Sequence, residues 1–419
     1  MLKCANWRTW SIVMENYKIK MMNNSIYHYP TINLLDSASA IAQDVDLEQL
    51  EEQQKHIIDV LRTFCIPINE IKYTLSPSAI RYEIKPKSGQ LYAKVRKNEH
   101  DISLCLSPMG VRIMSPVPGR NVMVIEIANP APYTYQLKDI IEATTLKNDD
   151  MDLPCAIGKT IDDEIFMFDL AKMPHLLIGG ATGQGKTVCL HDIIMSLLFK
   201  KSPQELNFVL IDPKKVEFEI YNPLINSFLM KIQGCKHPII TDVDEAVLAL
   251  NSLCELMNKR FDLLKHTNVR NINEYNEKIT NNTIGNADGY EYMPYIVVII
   301  DEFADLKMIA EEDIEMPLVR LAQLARSVGI HLIIATQRPT YNIITGNISA
   351  NFPASIAFKV ATQSDSRVII HNADACKLLA KGDMLFSHIS SLTRVQCAYV
   401  DKKEINQVVS FIAQQEINQ

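Results

Sequence analysis

The sequence lacks any long apolar run, any closely spaced cysteine pair and any excess of basic charge. No stretch reaches about 18 consecutive apolar residues, so no membrane-spanning helix is expected. The nine cysteines are scattered without a C-x-x-C pair, which argues against zinc and redox motifs and fits a reducing, cytoplasmic location. The net charge of −7 excludes a surface covered in basic patches, although a local basic stripe would still allow nucleic-acid binding.

The length of 419 residues predicts two or three domains, and the composition is that of an ordinary globular protein. The opening residues mix polar, basic and aromatic side chains and lack the pattern of a signal peptide. We therefore predict a poorly ordered tail over residues 1–46.

The next segment, residues 47–150, predicts a small α+β domain. Apolar spacing indicates an amphipathic helix over 47–64, and alternation indicates strands around 80–84 and 122–127. A connector helix is expected over 137–145, followed by a polar linker over 147–152. This segment is locally basic, which fits either a solvated strand face or contact with a nucleic-acid backbone. The basic residues are Arg81, Lys85, Lys87, Lys94, Arg96 and Lys97.

From residue 151 onward, short apolar runs alternate with helical patterns, which predicts a parallel sheet covered by helices on both faces. This domain is expected to extend over 151–402, followed by a C-terminal helix or tail over 403–419. Helices are predicted over 188–199, 244–264 and 317–326. Strands are predicted over 176–179, 208–211, 295–300, 331–335 and 355–360.

Residues 180–187 fit the phosphate-binding pattern G-x-x-x-x-G-K-[ST] between a predicted strand and a predicted helix. Glycines allow backbone N–H groups to surround a phosphate, and the helix N-terminus favours an anion. We expect Lys186 to contact the β- and γ-phosphates of ATP and the Thr187 hydroxyl to hold Mg²⁺. The predicted nucleotide-binding residues are Gly180, Ala181, Thr182, Gly183, Gln184, Gly185, Lys186, Thr187 and Val188.

The apolar run 295–300 ends in two carboxylates, Asp301 and Glu302, which is the Walker B pattern. Asp301 is expected to hold Mg²⁺ through water, and Glu302 to act as the general base. The alternative is a pair of acids at the start of the next helix. A phosphate loop upstream on the same sheet favours the catalytic interpretation.

Further polar candidates surround the strand predicted over 331–335. Gln337 follows the strand, where it could sense the γ-phosphate or serve only as a turn residue. Arg326 precedes it and is either an arginine finger for a neighbouring subunit or an ordinary helix-end arginine. His175 and His331 lie within apolar runs and are predicted to be core histidines.

Many ordered blocks of the chain resemble the FtsK/SpoIIIE family of DNA translocases, and the resemblance extends over about residues 48–402. Two upstream blocks, RYE (81–83) and PVPGR (116–120), resemble the smaller domain that precedes the family's motor. The motor blocks are MPHLL (173–177), DPK (212–214), VRN (269–271), YNEK (275–278), VIIDEFADL (298–306), ARSVGIHL (325–332), ATQRP (335–339), ITG (344–346), DSR (365–367) and GDML (382–385).

The resemblance implies a RecA-like P-loop motor that forms a homo-hexameric ring on double-stranded DNA and moves along it by hydrolysing ATP. It implies that Lys186, Glu302, Gln337 and a trans-acting Arg326 are catalytic, and that Thr187 and Asp301 bind Mg²⁺. Arg338 and Arg367 match family arginines near the ring interior or the nucleotide, and are candidate DNA contacts.

The chain also departs from the family pattern. Ser349 and Gln363 stand where the family often has lysines, which should weaken contact with the DNA backbone. No transmembrane region and no room for the family's C-terminal winged-helix domain are expected, so a septum-anchored role is not implied. The choice between chromosome partition and conjugative or mobile-element transfer stays open.

These observations favour an ATP-dependent double-stranded DNA translocase, soluble and encoded by a mobile element or serving an accessory role. The alternative is a coupling ATPase of a DNA-transfer or secretion system that acts with a separate membrane partner. A third hypothesis, a module that binds nucleotide without hydrolysing it, is opposed by the intact Lys186, Asp301 and Glu302.

Overall fold

The computed structural model describes residues 27–36, 47–77, 79–87, 91–106, 111–114, 122–130, 133–145, 150–281, 283–284, 290–379, 381–389 and 391–417. Most of the predicted tail, the PVPGR block at 116–120 and part of the predicted linker lie outside these residues. The described residues form two sheets, each with its own apolar core.

The smaller sheet has four antiparallel strands in the order β1-β2-β4-β3. One helix packs on it because Leu50, Ile57 and Leu61 form a single apolar face. The elements of this unit are α1 (Leu47–Thr63), β1 (Ile68–Leu75), β2 (Ala79–Pro86), α2 (Leu91–Lys97), α3 (Glu99–Leu106), β3 (Val111–Met114) and β4 (Met123–Ala128).

The basic segment of this unit is not a uniform solvated face. Arg81 is buried and pairs with Glu83 at 3.2 Å and, across to the larger sheet, with Asp162 at 3.7 Å. The remaining basic side chains are exposed, as both a solvated face and a nucleic-acid contact require. Buried Arg81 fits neither of these two interpretations. The remaining basic residues are Lys85, Lys87, Lys94, Arg96 and Lys97.

The larger sheet has ten strands in the order β6-β5-β14-β13-β12-β7-β11-β10-β8-β9. Its elements begin with α4 (Leu137–Thr145), β5 (Pro154–Thr160), β6 (Ile165–Asp169), β7 (His175–Gly179), α5 (Lys186–Leu198), β8 (Leu206–Ile211) and β9 (Ile239–Ile240). They continue with α6 (Val243–His266), α7 (Ile272–Thr280), β10 (Tyr295–Ile300), α8 (Phe303–Leu324), β11 (Ile330–Thr336), α9 (Gly346–Asn351), β12 (Ala354–Phe358), α10 (Gln363–Ile370), β13 (Asp383–His388), β14 (Ser391–Cys397) and α11 (Lys402–Ile417).

The prediction of a parallel sheet is confirmed for the six neighbouring strands from β12 to β9. Four further strands extend this sheet in antiparallel pairings, which the sequence did not predict. The physical reason is connection length. Short turns join β5 to β6 and β13 to β14, whereas parallel neighbours need a crossover of a dozen or more residues.

Residues 27–36 pack on the C-terminal helix α11, unlike the poorly ordered tail predicted there. The backbone of His28 exchanges two 2.9 Å hydrogen bonds with the Gln415 side chain. The backbone N–H of Asp36 donates to Glu404 at 2.7 Å. Helices α4 and α11 also bury apolar residues in the core of the larger sheet. Both helices lie outside residues 152–401, at or beyond the ends of the domain predicted over 151–402.

A buried ion-pair network joins the two sheets. Arg394 on β14 donates to both carboxylate oxygens of Asp383, at 2.8 and 2.6 Å, and to Glu126 on β4. Burial favours a lower pKa for Arg394, but the Asp383 and Glu126 carboxylates offset burial and raise that pKa. Arg112 lies 3.8 Å from Glu126, and burial together with the Arg394 charge lowers the pKa of Arg112.

His175 and His331 are buried in the larger core, as predicted. The Leu332 N–H donates to His175 Nδ1 at 3.1 Å, and His331 Nδ1 donates to the Pro174 carbonyl at 3.0 Å. Burial and their mutual repulsion lower the pKa of His175 to about 3, and burial lowers that of His331 to about 4. Both side chains are therefore neutral near pH 7.

Within the described ranges, no helix is both long enough and apolar enough to span a membrane.

Candidate functional site

The phosphate-binding loop connects β7 to α5 and depends on glycine at two positions. Gly183 has φ of 75° and Gly185 has φ of 119°, values that side chains other than glycine rarely adopt. A Cβ on Gly185 would also lie 3.0 Å from the Phe358 ring and 3.1 Å from Gly382 Cα. Among the residues that the structure describes, no atom lies within 4 Å of a Cβ placed on Gly183, so the loop tip is open there to a ligand.

Neighbouring strands hold this loop through backbone hydrogen bonds. The Gly180 N–H donates to the backbone carbonyl of Thr336, at the end of β11, at 3.3 Å. The Ala181 N–H donates to the backbone carbonyl of Lys359 at 2.9 Å. The Gly382 N–H donates to the Gln184 carbonyl at 2.8 Å. The loop is therefore shaped by the carboxyl end of the sheet, and Gly382 links it to the turn that precedes Asp383.

Lys186, the first residue of α5, is buried with 3% of its surface exposed. Its ammonium donates to Asp301 Oδ1 at 2.8 Å and to the Asp301 carbonyl. The next residues of the helix, Thr187 and Val188, are partly exposed. The structure thus brings the P-loop lysine and the first Walker B carboxylate into direct contact.

Glu302 follows Asp301 at the carboxyl end of β10 and is buried. Its Oε1 accepts from the Thr336 hydroxyl at 2.8 Å, and both carboxylate oxygens accept from the Gln337 N–H at 3.1 Å. Lys214 Nζ lies 3.1 Å from Oε2. Parallel strands end at the same edge of the sheet, which explains why these residues meet.

The Gln337 side chain links this group to the phosphate-binding loop. The Thr182 hydroxyl donates to Gln337 Oε1 at 2.7 Å. The structure therefore gathers Thr182, Lys186, Asp301, Glu302 and Gln337 at one edge of the larger sheet.

Arg326 is placed at the opposite edge. It lies in a 3₁₀ helix, Ala325–Val328, before the first residue of β11, and Nη2 donates to the Lys172 carbonyl at 3.4 Å. Since β7 extends about 3.3 Å per residue, roughly 13 Å of strand separates this edge from the chain's own P-loop. Arg326 is exposed there and does not join the cluster within one chain.

The candidate DNA-binding arginines are both exposed on the carboxyl side of their strands. Arg338 follows Gln337, and its Nη1 approaches Met308 Sδ at 3.5 Å. Arg367 lies on α10, and its Nη2 donates to Gln363 Oε1 at 3.4 Å. Neither arginine forms an ion pair with a carboxylate within the part of the chain that the structure describes.

The residues suit a nucleoside triphosphate with Mg²⁺. The glycine loop faces open space, the N-terminus of α5 adds a favourable dipole, and Lys186 already binds an anionic oxygen. Thr187 and Asp301 offer the hydroxyl and carboxylate oxygens that Mg²⁺ prefers.

Sequence reasoning assigned no role to Lys214 or Thr336, although both contact Glu302. Lys214 follows β8, and Thr336 ends β11, so both lie at the same sheet edge as the P-loop. That common position was the signal that could have identified them.

The fold and the site define a P-loop ATPase domain preceded by a small α+β unit. The model of the FtsK/SpoIIIE family matches residues 136–341, and that of the FtsK alpha domain matches residues 29–129. The chain belongs to the FtsK/SpoIIIE family, as its sequence blocks predicted.

Curated relatives support this assignment across nearly the whole chain. The DNA translocase FtsK of Chlorobaculum tepidum is 40% identical over 403 residues, which are 95% of this chain and 49% of the relative. The DNA translocase SftA of Bacillus subtilis is 41% identical over 391 residues, covering 93% of this chain and 40% of the relative. The chain thus spans about half the length of the curated relatives it matches, or less.

Solved structures share the fold. The pCW3 conjugation coupling protein TcpA, in its monomer form with ATPγS, is 23% identical with a TM-score of 0.57, covering 86% of this chain and 99% of TcpA. The cytoplasmic domain of the type VII secretion ATPase EccC from Thermomonospora curvata is 24% identical with a TM-score of 0.53. The match covers 67% of this chain and 34% of the EccC chain.

Proposed function

We propose that this chain is an ATP-driven double-stranded DNA translocase that acts as a homo-hexameric ring. The observation that carries the proposal is the cluster of Lys186, Asp301, Glu302 and Gln337 at one sheet edge. Its relatives near 40% identity are DNA translocases. A coupling ATPase is not favoured, because the coupling and secretion ATPases are below 25% identity and share only the fold.

In the proposed mechanism, the loop N–H groups and Lys186 bind the phosphates of ATP. Asp301 orients the lysine ammonium before ATP binds, so phosphate binding replaces one anionic partner with another. Thr187 and Asp301 would hold Mg²⁺, which would supply positive charge against the charge that develops on the phosphates. Glu302 accepts a proton from the attacking water as general base.

Gln337 and Arg326 complete the proposed mechanism, Gln337 within its own subunit and Arg326 at a neighbouring one. Gln337, through its bond with Thr182, would report the presence of the γ-phosphate to β11. Arg326 contacts the Lys172 carbonyl at the opposite edge of the sheet from its own P-loop, which supports a role at the nucleotide of a neighbouring subunit. Such an arginine is worth roughly 10³–10⁵ in rate.

The test is steady-state ATPase activity with long linear duplex DNA, single-stranded DNA or no DNA. Long duplex is expected to stimulate turnover several-fold, and Lys186→Ala is expected to abolish turnover. Lys265→Ala, at an exposed lysine in the last turn of α6, is the matched control. Stimulation by a protein partner alone, without any effect of DNA, would reject the proposal.

A second measurement addresses the DNA contacts. Removing Arg338 or Arg367 should weaken duplex binding about equally for all DNA sequences, since phosphate contacts carry no base information. The slope of log K against log salt should fall by about 0.9 per lost contact. An unchanged slope in both variants would remove these arginines from the DNA interface.

A further inference from the structure

The Glu302 carboxylate is saturated with hydrogen-bond donors in this structure. Oε1 accepts from the Thr336 hydroxyl and the Gln337 N–H, and Oε2 accepts from the same N–H and from Lys214. An ionised carboxylate offers about four lone-pair sites, so two contacts on each oxygen use them all. With only 2% of its surface exposed, Glu302 in this position has no site left to accept a proton from water.

The three donor groups differ in how easily they can leave. Thr336 is fully buried at the end of β11, and its hydroxyl also accepts from the Arg338 N–H at 3.0 Å. The Gln337 donor is part of the backbone. Lys214 alone reaches Glu302 through a long flexible stem, and its side chain is 35% exposed. It is therefore the donor that can withdraw without disturbing the sheet.

The backbone that carries Lys214 is fixed by Asp212 at the end of β8. The two Asp212 carboxylate oxygens accept five successive backbone N–H groups at 2.9 to 3.1 Å, from Lys214, Lys215, Val216, Glu217 and Phe218. Movement at this position is therefore expected from the Lys214 side chain and not from its loop.

We propose that Lys214 is a positioning residue that holds Glu302 in a non-catalytic arrangement and limits ATP turnover when DNA is not bound. Withdrawal of the ammonium frees one Oε2 site for the attacking water, while Thr336 and Gln337 keep the carboxylate in place. DNA binding favours this withdrawn position. This inference rests on the proposed function, since it assigns a regulator to the proposed general base.

The first experiment compares Lys214→Met with the parent chain by steady-state ATPase kinetics, with and without saturating duplex DNA. Losing the ion pair should raise kcat without DNA about fivefold, which corresponds to about 1 kcal/mol for a partly exposed pair. KM for ATP and the DNA-saturated kcat should change less than twofold. The ratio of stimulated to unstimulated turnover should therefore fall about fivefold.

Two variants at the same loop serve as controls. Lys214→Arg keeps the charge and should restore a low unstimulated rate. Lys215→Met removes the adjacent exposed lysine, which has no contact with Glu302 among the described residues, and should leave both rates unchanged. A fall in kcat for Lys214→Met under both conditions, or no change in either, would overturn the inference.

The inference and the proposed function fail in different ways. If Glu302→Gln retains normal turnover, Glu302 is not the general base and the proposed mechanism is wrong. If Glu302→Gln is inactive while Lys214→Met shows no increase without DNA, only the role of Lys214 is wrong. A thermal-unfolding double-mutant cycle of the two variants, expected to show coupling, tests the ion pair without reference to activity.

Discussion

Replacing Arg394 with methionine should destabilise the protein more than replacing any other arginine of its network. Asp383 and Glu126 are each buried with 2% of the side chain exposed, and Arg394 is the residue that pairs with both. The substitution would leave two carboxylates without their main counter-charge. Removing one partner of a buried pair costs about 3–5 kcal/mol, and we expect about 3 kcal/mol because Arg394 retains slight exposure.

Arg112→Met provides the matched comparison in the same network. Arg112 is buried beside Arg394, and its Nε and Nη1 have no hydrogen-bond partner within the described part of the chain. Its removal relieves repulsion and leaves the Arg394–Glu126 pair intact, so stability should change by less than about 1 kcal/mol.

The assay is urea unfolding followed by circular dichroism, together with the Kd for ATP. Asp383 adjoins Gly382, whose N–H donates to Gln184 in the P-loop, so Arg394→Met should also weaken ATP binding. An Arg394→Met protein as stable as the parent, or one more stable than Arg112→Met, would refute the account of this network.

Three further results are expected. Gly185→Ala should abolish measurable ATP binding by calorimetry without unfolding the chain, since its φ of 119° and the nearby Gly382 backbone exclude a Cβ. The folded-state pKa values of His175 and His331 lie below the unfolded value of about 6.5. The free energy of unfolding should therefore be fully retained above about pH 6.5 and fall as the pH drops toward 4, by up to about 1.4 kcal/mol per pH unit for each histidine. A urea midpoint that stays unchanged between pH 7 and 5 would oppose this. Mixing inactive Arg326→Ala and Lys186→Ala subunits should recover part of the ATPase activity, because an intact site can form between them; no recovery in mixed assemblies would exclude action in trans.

Local patterns predicted the central part of the larger sheet well. The strand over 295–300 was predicted with the bounds that β10 shows, and the helix over 137–145 coincides with α4. Buried parallel strands are continuous apolar runs, and their polar ends indicate the functional edge of the sheet. Lys186 was predicted from the P-loop pattern, and Asp301, Glu302 and Gln337 were predicted from the polar ends of strands. The structure brings these four residues together, and their catalytic roles stay predictions.

Contacts between distant parts of the chain were not predictable in this way. Arg394 and Glu126 are separated by 268 residues, and neither lies in a sequence motif from which the contact could be predicted. Lys214 and Glu302 are 88 residues apart, and their contact depends on the order of β8 and β10 within the sheet. Such pairings follow from topology, which periodicity does not specify.

Edge strands and buried charges were also missed for physical reasons. The antiparallel strands β13 and β14 carry polar residues and lack the long apolar runs of the parallel core. Arg81 alternates with apolar residues as an exposed strand residue would, yet packing between the two sheets buries it against Glu83 and Asp162.

The most direct test of the central claim is the dependence of ATPase activity on the length of linear duplex DNA. A translocase that moves along DNA should show turnover that rises with duplex length at constant total base pairs, because long molecules delay dissociation at ends. Lys186→Ala should show no turnover at any length. The claim that this chain is a DNA translocase would be contradicted if the parent protein hydrolysed ATP through Lys186 at a rate that neither DNA nor its length changed.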